Sequence, residues 1–371
     1  MEKVRIAIIG IGAMGKKYAL QIFQNQVDNM ELAAIVCRNE PGRNWAREQF
    51  DEKVKLFSSS DELFEHTEYF DGVLIVTPHK EHPRLAKEAF SKGIHVFSDK
   101  PAGIYTKEVR EMNQAAKKAG VAFAMMFHKR TIPIYRYVKE MLEKGELGDL
   151  NRVTWVSTKS FRTKKYHQSS AWRSSWKGEG GGLLMNQAQH PLDLWQWFFG
   201  MPVNVLGLVD FGKYNDFKVD DNSTLLMEYE NGMRGMFISS TGEGTGEERV
   251  EIVGTAGRVI LEENTLKYWN YTMPMDKFME INQEQEAQIP YIYKEREFEN
   301  YANPYIAMLE NFADHILNKT PLIVKGEDGI NALELANAAY LSAWENKKIS
   351  IPIEDDIYYE ALQEKIAEEE K

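Results

Sequence analysis

The stretch Gly10-Ile11-Gly12-Ala13-Met14-Gly15 constrains this chain more than any other, because it joins the apolar run Val4 to Ile9 to a segment with helical spacing from Ala13. Strand, glycine turn and helix in that order describe a dinucleotide-binding turn. The first glycine permits a tight turn. The second removes a side chain where a pyrophosphate approaches the backbone, and the third lets the helix pack closely on the strand. The free N–H groups and positive dipole end of the helix then favour phosphate oxygens. Glycines also mark ordinary turns, so the flanking strand and helix carry the reading rather than the spacing alone. Gly10, Gly12, Ala13, Met14 and Gly15 are the candidate phosphate-contact residues.

The chain continues in the same grammar. Apolar runs of strand length recur at Glu31 to Cys37, Lys55 to Phe57, Gly72 to Val76, Ile94 to Phe97 and Val121 to Met126, with helical patterns at Gly42 to Phe50, Glu81 to Lys92 and Thr106 to Ala119. That alternation predicts an α/β Rossmann domain with a doubly wound parallel sheet over residues 1–127, its ligand crevice at the carboxyl ends of the strands. From about residue 150 the strands follow one another: Val153 to Ser160, Val203 to Phe211, Asn222 to Tyr229, Gly232 to Ser240, Arg249 to Val253 and Arg258 to Leu261. Asn231-Gly232 is a hairpin signal. Residues 128–371 are therefore expected to form an α+β domain with a mainly antiparallel open sheet, one face of which is a candidate subunit interface. Helices are expected at Pro304 to Asn318, Asp328 to Asn346 and Glu354 to Lys371.

Composition narrows the partners. With 45 Lys and Arg against 56 Asp and Glu among 371 residues, the formal net charge is −11, which argues against a broad nucleic-acid or anionic-membrane surface. No apolar run approaches the ~20 residues that span a bilayer, so no membrane partner is expected. The single cysteine, Cys37, excludes an internal disulfide framework and a cysteine-cluster metal site. No targeting segment is recognised, and a reducing cytoplasm is expected.

Three constellations carry chemistry. After the second strand, an acidic residue would bind the adenosine 2′-hydroxyl and select NAD, whereas this chain has Val36-Cys37-Arg38-Asn39 with Arg43 following. Arg38 and Arg43 either hold a 2′-phosphate, which makes NADP the expected cofactor, or solvate a loop, which leaves NAD. Ser98-Asp99-Lys100-Pro101 ends the fifth strand, where Lys100 either donates to a substrate oxygen or precedes a proline turn. In Gly178 to Trp197, a continuous helix would place Asn186, His190 and Asp193 on one face, with Pro191 kinking it and aiming His190 at a cleft. The alternative is a satisfied core histidine. His79, Glu81 and His82 lack a further ligand at zinc-type spacing, so no metal is expected.

The glycine turn, Thr77-Pro78 with His82 after the fourth strand, Asp99-Lys100-Pro101, Trp172-Arg173, and Gly180-Gly181-Gly182 through His190 to Asp193 together resemble the glucose-fructose oxidoreductase and inositol dehydrogenase family (Gfo/Idh/MocA) over nearly the whole chain. The resemblance implies hydride transfer between a nicotinamide cofactor and a secondary alcohol or ketone carbon of a sugar or polyol, in a homodimer or homotetramer. Lys100 inherits a catalytic and cofactor-contact role and His190 the acid/base role. Thr77, Pro78, His79, His82, Asp99, His128, Trp172 and Arg173 join the cofactor set, while Lys100, Trp172, Asn186, Gln187 and His190 form the substrate set. Glu179 and Asp193 are further candidate hydroxyl readers. Lys164, Lys165 and Arg173 leave phosphorylated substrates open. The chain departs from the family pattern at Asp99 for Glu, at His79 where many members carry Asn, and at Asn186 for Asp, which cannot titrate. Two other readings stand beside this one: a non-catalytic regulator that senses NADP or a sugar, and an oxidoreductase acting on a dihydrodiol or a tetrapyrrole.

Overall fold

β1 (Val4–Ile9) has five buried positions of six and no polar alternation, the pattern of a strand covered on both faces. In the computed structural model, which describes residues 2–299 and 302–371, it lies inside a six-stranded sheet ordered β3-β2-β1-β4-β5-β6. The partners are β2 (Met30–Val36), β3 (Lys55–Phe57), β4 (Gly72–Ile75), β5 (His95–Ser98) and β6 (Phe123–Met125), and every pairing is parallel. Strand order reverses between β1 and β4, so the carboxyl ends of those strands flank the crevice of a doubly wound sheet. The expected parallel sheet is present.

The second sheet contains nine strands. They are β7 (Leu150–Ser157), β8 (Asn204–Phe211), β9 (Asp220–Glu228), β10 (Arg234–Ser240), β11 (Glu248–Gly254), β12 (Gly257–Glu262), β13 (Thr265–Tyr271), β14 (Tyr291–Glu297) and β15 (Ile349–Ser350). Their order is β14-β13-β12-β11-β7-β10-β9-β8-β15, antiparallel except where β7 meets β10. The expected hairpin at Asn231-Gly232 joins β9 to β10, with Gly232 at φ +86°. The core of this sheet is aromatic. Trp155 on β7, Phe237 on β10 and Trp195 on the helix Gln189–Phe199 are fully buried, and a Cβ on Gly235 would come within 2.4 Å of the Trp195 ring. That missing side chain seats the helix on the sheet.

The chain divides into two compact units, Met1–Thr131 with Gly178–Gly180 and Ala302–Leu333, and Ile132–Lys177 with Gly181–Tyr301 and Glu334–Lys371. The units are discontinuous in sequence, whereas the sequence reading placed one cut at 127/128. In the first unit Phe312 of the helix Pro304–Asn318 meets Phe97 of β5 at 5.1 Å between ring centroids. Among the described residues no helix is long and apolar enough to cross a membrane.

Candidate active site

The glycine turn has the shape its sequence requires. Gly10 sits at φ +106°, and a Cβ there would lie 2.5 Å from the Val76 carbonyl oxygen. A Cβ on Gly15 would lie 2.0 Å from the Gly10 carbonyl oxygen, which no side chain tolerates. A Cβ on Gly12 would meet no atom within 4 Å. Gly12 and Ala13 are exposed, Met14 is half-buried, and the helix Ala13–Phe23 begins without a side-chain cap. Its first N–H groups thus remain for an anion. Thr77 Oγ1, buried after β4, has no hydrogen-bond partner among the described residues, and a dinucleotide oxygen would supply one. These residues fit a dinucleotide.

Past β2, Arg43 is occupied by its own loop. Its Nη1 donates to the carbonyls of Cys37 at 2.9 Å and Arg38 at 2.6 Å, while Nε and Nη2 hold Glu40. Arg38 is exposed. Of the two guanidiniums named from sequence, it is the one left facing solvent.

The loops after β4 and β5 are braced by histidines. His82 is fully buried, with Nδ1 2.8 Å from the Pro101 carbonyl oxygen and Nε2 2.8 Å from that of Thr77. A neutral imidazole has one N–H, so only the imidazolium donates to both. Burial pulls the His82 pKa below its ordinary value, and the two carbonyls and Asp99 oppose that pull. His79 Nδ1 is 3.0 Å from the Glu179 carbonyl oxygen, so that residue enters through its backbone. The Lys100 N–H donates to Asp99 Oδ1 at 2.8 Å, and desolvation raises the Asp99 pKa against the Lys100 charge and that N–H.

His128, in the turn after β6, stacks on Tyr305 at 4.1 Å between centroids, with the Lys17 ammonium 3.7 Å from the Tyr305 centroid. Burial pushes the His128 pKa down to about 3, helped by the charges of Lys129, Lys100 and Lys17, so its ring is neutral at physiological pH. Tyr305 is presented there because Asn303 caps its helix, accepting from the Tyr305 N–H at 3.1 Å, and Pro304 occupies the first turn.

In the second unit the expected continuous helix does not form. The helix starts at Gln189, and residues 183–188 form tight turns, with the Asn186 N–H donating to the Gly182 carbonyl at 3.1 Å and the Ala188 N–H to that of Leu183 at 2.9 Å. Pro191 is the reason. Its ring would clash with the carbonyl four residues earlier, so the helix can contain Pro191 only in its first turn, where a missing N–H costs nothing. Pro191 therefore sets the helix start rather than a kink, and Asn186 lies before the helix while His190 lies in its first turn.

Asp220 of β9 fixes those turns. Its carboxylate accepts from the Gly182 N–H at 2.7 Å, the Leu184 N–H at 2.8 Å and the Tyr340 hydroxyl at 2.5 Å. Burial raises its pKa to about 6 against these hydrogen bonds. Beyond the turns, the Tyr166 hydroxyl oxygen accepts from Arg173 Nη1 at 2.8 Å, Gln187 Nε2 at 2.9 Å and Asn186 Nδ2 at 3.2 Å. The Arg173 guanidinium also lies 4.8 Å from the Trp172 ring centroid. Asn186, Gln187, His190, Trp172 and Arg173 are all half-buried, whereas Asp193 is fully buried and does not present a hydroxyl reader to solvent.

The structure thus gathers the glycine turn, Thr77, His82, Asp99, Lys100 and His128 in the first unit, and Asn186, Gln187 and Arg173 around Tyr166 in the second. The sequence reading did not name Lys17, Tyr305, Tyr166 or Asp220 at these places. Tyr166 had a signal, an acid-free basic run around it; Tyr305 is far along the chain from Lys17, Tyr18 and His128, which it meets, and had none. Among the described residues no group of His, Cys, Asp or Glu is placed to hold a metal ion.

Comparison with known proteins yields two family matches, "Oxidoreductase family, NAD-binding Rossmann fold" over residues 4–127 and "Oxidoreductase family, C-terminal alpha/beta domain" over residues 139–351. Scyllo-inositol 2-dehydrogenase (NAD(+)) of Bacillus subtilis is 24% identical over 349 residues, covering 91% of this chain and 93% of that protein. Myo-inositol 2-dehydrogenase of Thermotoga maritima is 24% identical over 356 residues, covering 94% and 98%. Among solved structures, the WlbA dehydrogenase of Bordetella pertussis in complex with NADH and UDP-GlcNAcA superposes with a TM-score of 0.79 at 22% identity, covering 95% of this chain and 100% of that one.

Proposed function

The chain belongs to the Gfo/Idh/MocA oxidoreductase family, and on that premise we propose that it moves a hydride between a nicotinamide dinucleotide and a secondary alcohol or ketone carbon of a sugar or cyclitol. The observation that carries the proposal is the glycine turn, closed to side chains at Gly10 and Gly15 and open at Gly12 before an uncapped helix N-terminus. The inositol dehydrogenases among its relatives support the substrate class.

When bound, the nicotinamide supplies the two-electron chemistry. The residues of the chain do the rest. The backbone N–H groups at Gly12 to Gly15 would hold the pyrophosphate. Arg38 would hold a 2′-phosphate, which makes NADP the proposed cofactor, with NAD used if Arg38 only solvates its loop. Lys100 Nζ holds the substrate oxygen, and His190 takes the hydroxyl proton on oxidation and returns it on reduction at a ring nitrogen. Asn186 and Gln187 donate to substrate hydroxyls but exchange no proton. Thr77, Pro78, His79, His82, Asp99 and His128 shape the cofactor side, and Trp172 and Arg173 close on the ligand. In this reading residues 1–127 bind cofactor, residues 128–371 carry the substrate groups, and the protein works in the cytoplasm as a homodimer or homotetramer.

The test is nicotinamide absorbance with NAD(H) and NADP(H) against a panel of sugars, cyclitols and their ketones. Turnover of a polyol or ketose supports the reading. Saturable cofactor and sugar binding with no absorbance change anywhere in the panel would make the protein a sensor instead.

A further inference from the structure

The segment 159–177 carries six Lys or Arg residues and no Asp or Glu, in a chain whose net charge is −11. At the ends of the segment Lys159 pairs with Glu263 and Lys177 with Glu370. Arg162, Lys164 and Lys165 form no ion pair among the described residues, and Lys164 and Lys165 are exposed on the short helix Lys164–His167. The charge has not been scattered. The Arg162 and Arg173 guanidinium carbons lie 4.9 and 4.6 Å from the centroid of one ring, Tyr166, so the two cations are brought to a single side chain.

The same tyrosine organises the neutral donors. Every side-chain group that meets its hydroxyl is an N–H donor, from Arg173, Asn186 and Gln187. Asp221 is close enough for its charge to act on His167, but its carboxylate accepts from the backbone N–H groups of Lys213, Tyr214 and Asn215 and is held by that turn. What surrounds Tyr166 is therefore a set of cations and amide donors, half-buried and joined through Asn186 to the turn that precedes His190. A neutral polyol, whose hydroxyls donate as well as accept, does not call for such a set. A group with acceptor oxygens only, bearing negative charge, does.

We propose that Arg162, over the Tyr166 ring, with Lys164 and Lys165 on the helix that carries Tyr166, forms a subsite for an anionic group, a carboxylate or a phosphate, carried by the substrate. The inference rests on the dehydrogenase reading above and names the substrate class of that same site: an acidic or phosphorylated sugar or cyclitol rather than a neutral one. Arg supplies the paired donors that carboxylate and phosphate accept, and the exposed lysines add long-range attraction that salt screens.

The experiment compares kcat/KM for matched probes with the preferred nicotinamide cofactor: D-glucose and myo-inositol as neutral probes, D-glucuronate as the carboxylate, D-glucose 6-phosphate and myo-inositol 1-phosphate as the phosphates. At least one anionic probe should exceed its neutral counterpart, and the arm that does so identifies the group. Arg162→Gln should lower the anionic-to-neutral ratio of kcat/KM by ~10–100-fold, mainly through KM, as loss of a charge-assisted contact implies. The exposed double variant Lys164→Gln/Lys165→Gln should lower it less, by an amount that shrinks at high salt. A preference for the neutral probes, or an unchanged ratio in both variants, overturns the subsite. If no probe is turned over, the dehydrogenase reading is what has failed, and calorimetric titration of the same probes then decides the subsite by itself. Saturable binding of an anionic probe that Arg162→Gln weakens supports it, and no binding overturns it.

Discussion

The glycine turn and the Tyr166 face would meet ligands in opposite ways. At the turn the contacts would come from backbone N–H groups, and side chains are excluded at Gly10 and Gly15, where a Cβ would strike a carbonyl, while at Gly12 a Cβ would meet nothing, which leaves room for a ligand. At the Tyr166 face the contacts are side chains drawn from positions 162 to 187, held by turns that a buried carboxylate ties down. Backbone recognition does not titrate and serves any ligand with the same phosphates. Side-chain recognition titrates, carries charge and can be retuned one residue at a time.

Substitutions can sharpen or break this contrast. The largest effect is expected where a side chain works beside the backbone site: Lys100→Ala should lower kcat by ~10²–10⁴, the usual range for a positioned acid/base group, and His190→Ala should do the same on the substrate side. Asn186→Ala should cost less than His190→Ala, since an amide positions but does not exchange a proton. Near-normal turnover in a folded Lys100→Ala enzyme would return that residue to an ordinary loop.

Next comes pH. Burial raises the Asp220 pKa to about 6, so the folded protein binds the extra proton more tightly than the unfolded chain does. The stabilisation is fully present below the unfolded value of ~4 and is lost as pH rises through about 6, by up to ~3 kcal/mol. Urea unfolding of wild type and Asp220→Asn between those pH values should show the difference between them changing with that sign. A pH-independent difference would show that the carboxylate titrates in the folded protein as it does in the unfolded chain.

Cofactor choice should respond to Arg38 on a smaller scale. Arg38→Asp should weaken NADP binding by ~1.5–3 kcal/mol, the range for a hydrogen bond to a charged group, with little change for NAD. Equal losses for both cofactors would mean that Arg38 does not read the 2′ position. The smallest effects test the turn itself. Gly15→Ala should cost ~1–3 kcal/mol of stability through the overlap with Gly10, whereas Gly12→Ala should stay within ~0.5 kcal/mol yet weaken cofactor binding. If both variants unfold alike in calorimetry, the turn is a packing device and not a ligand site.

Much of the first sheet was legible because parallel strands buried on both faces read as unbroken apolar runs between helical patterns. The strand edges of the second sheet were not. All seven residues of β14, Tyr-Ile-Tyr-Lys-Glu-Arg-Glu, are exposed, so no burial pattern marks it; it exists because β13 offers an edge to pair with. The helix Pro133–Glu143 was missed although its signal was present, with Ile134, Tyr135, Val138 and Met141 buried at helical spacing. Asn186 and His190 were placed on one helix by counting, and Pro191 decided otherwise.

By itself the sequence determined what local sterics can encode: the glycines of a turn closed to side chains at Gly10 and Gly15, the period of the strands, and the surplus of cations around Tyr166. Only the tertiary structure decided which distant groups meet. Tyr305 stacks on His128 and Asp220 ties down the turns before His190 because sheet order and packing brought them there, and such contacts leave no spacing in the chain from which to read them.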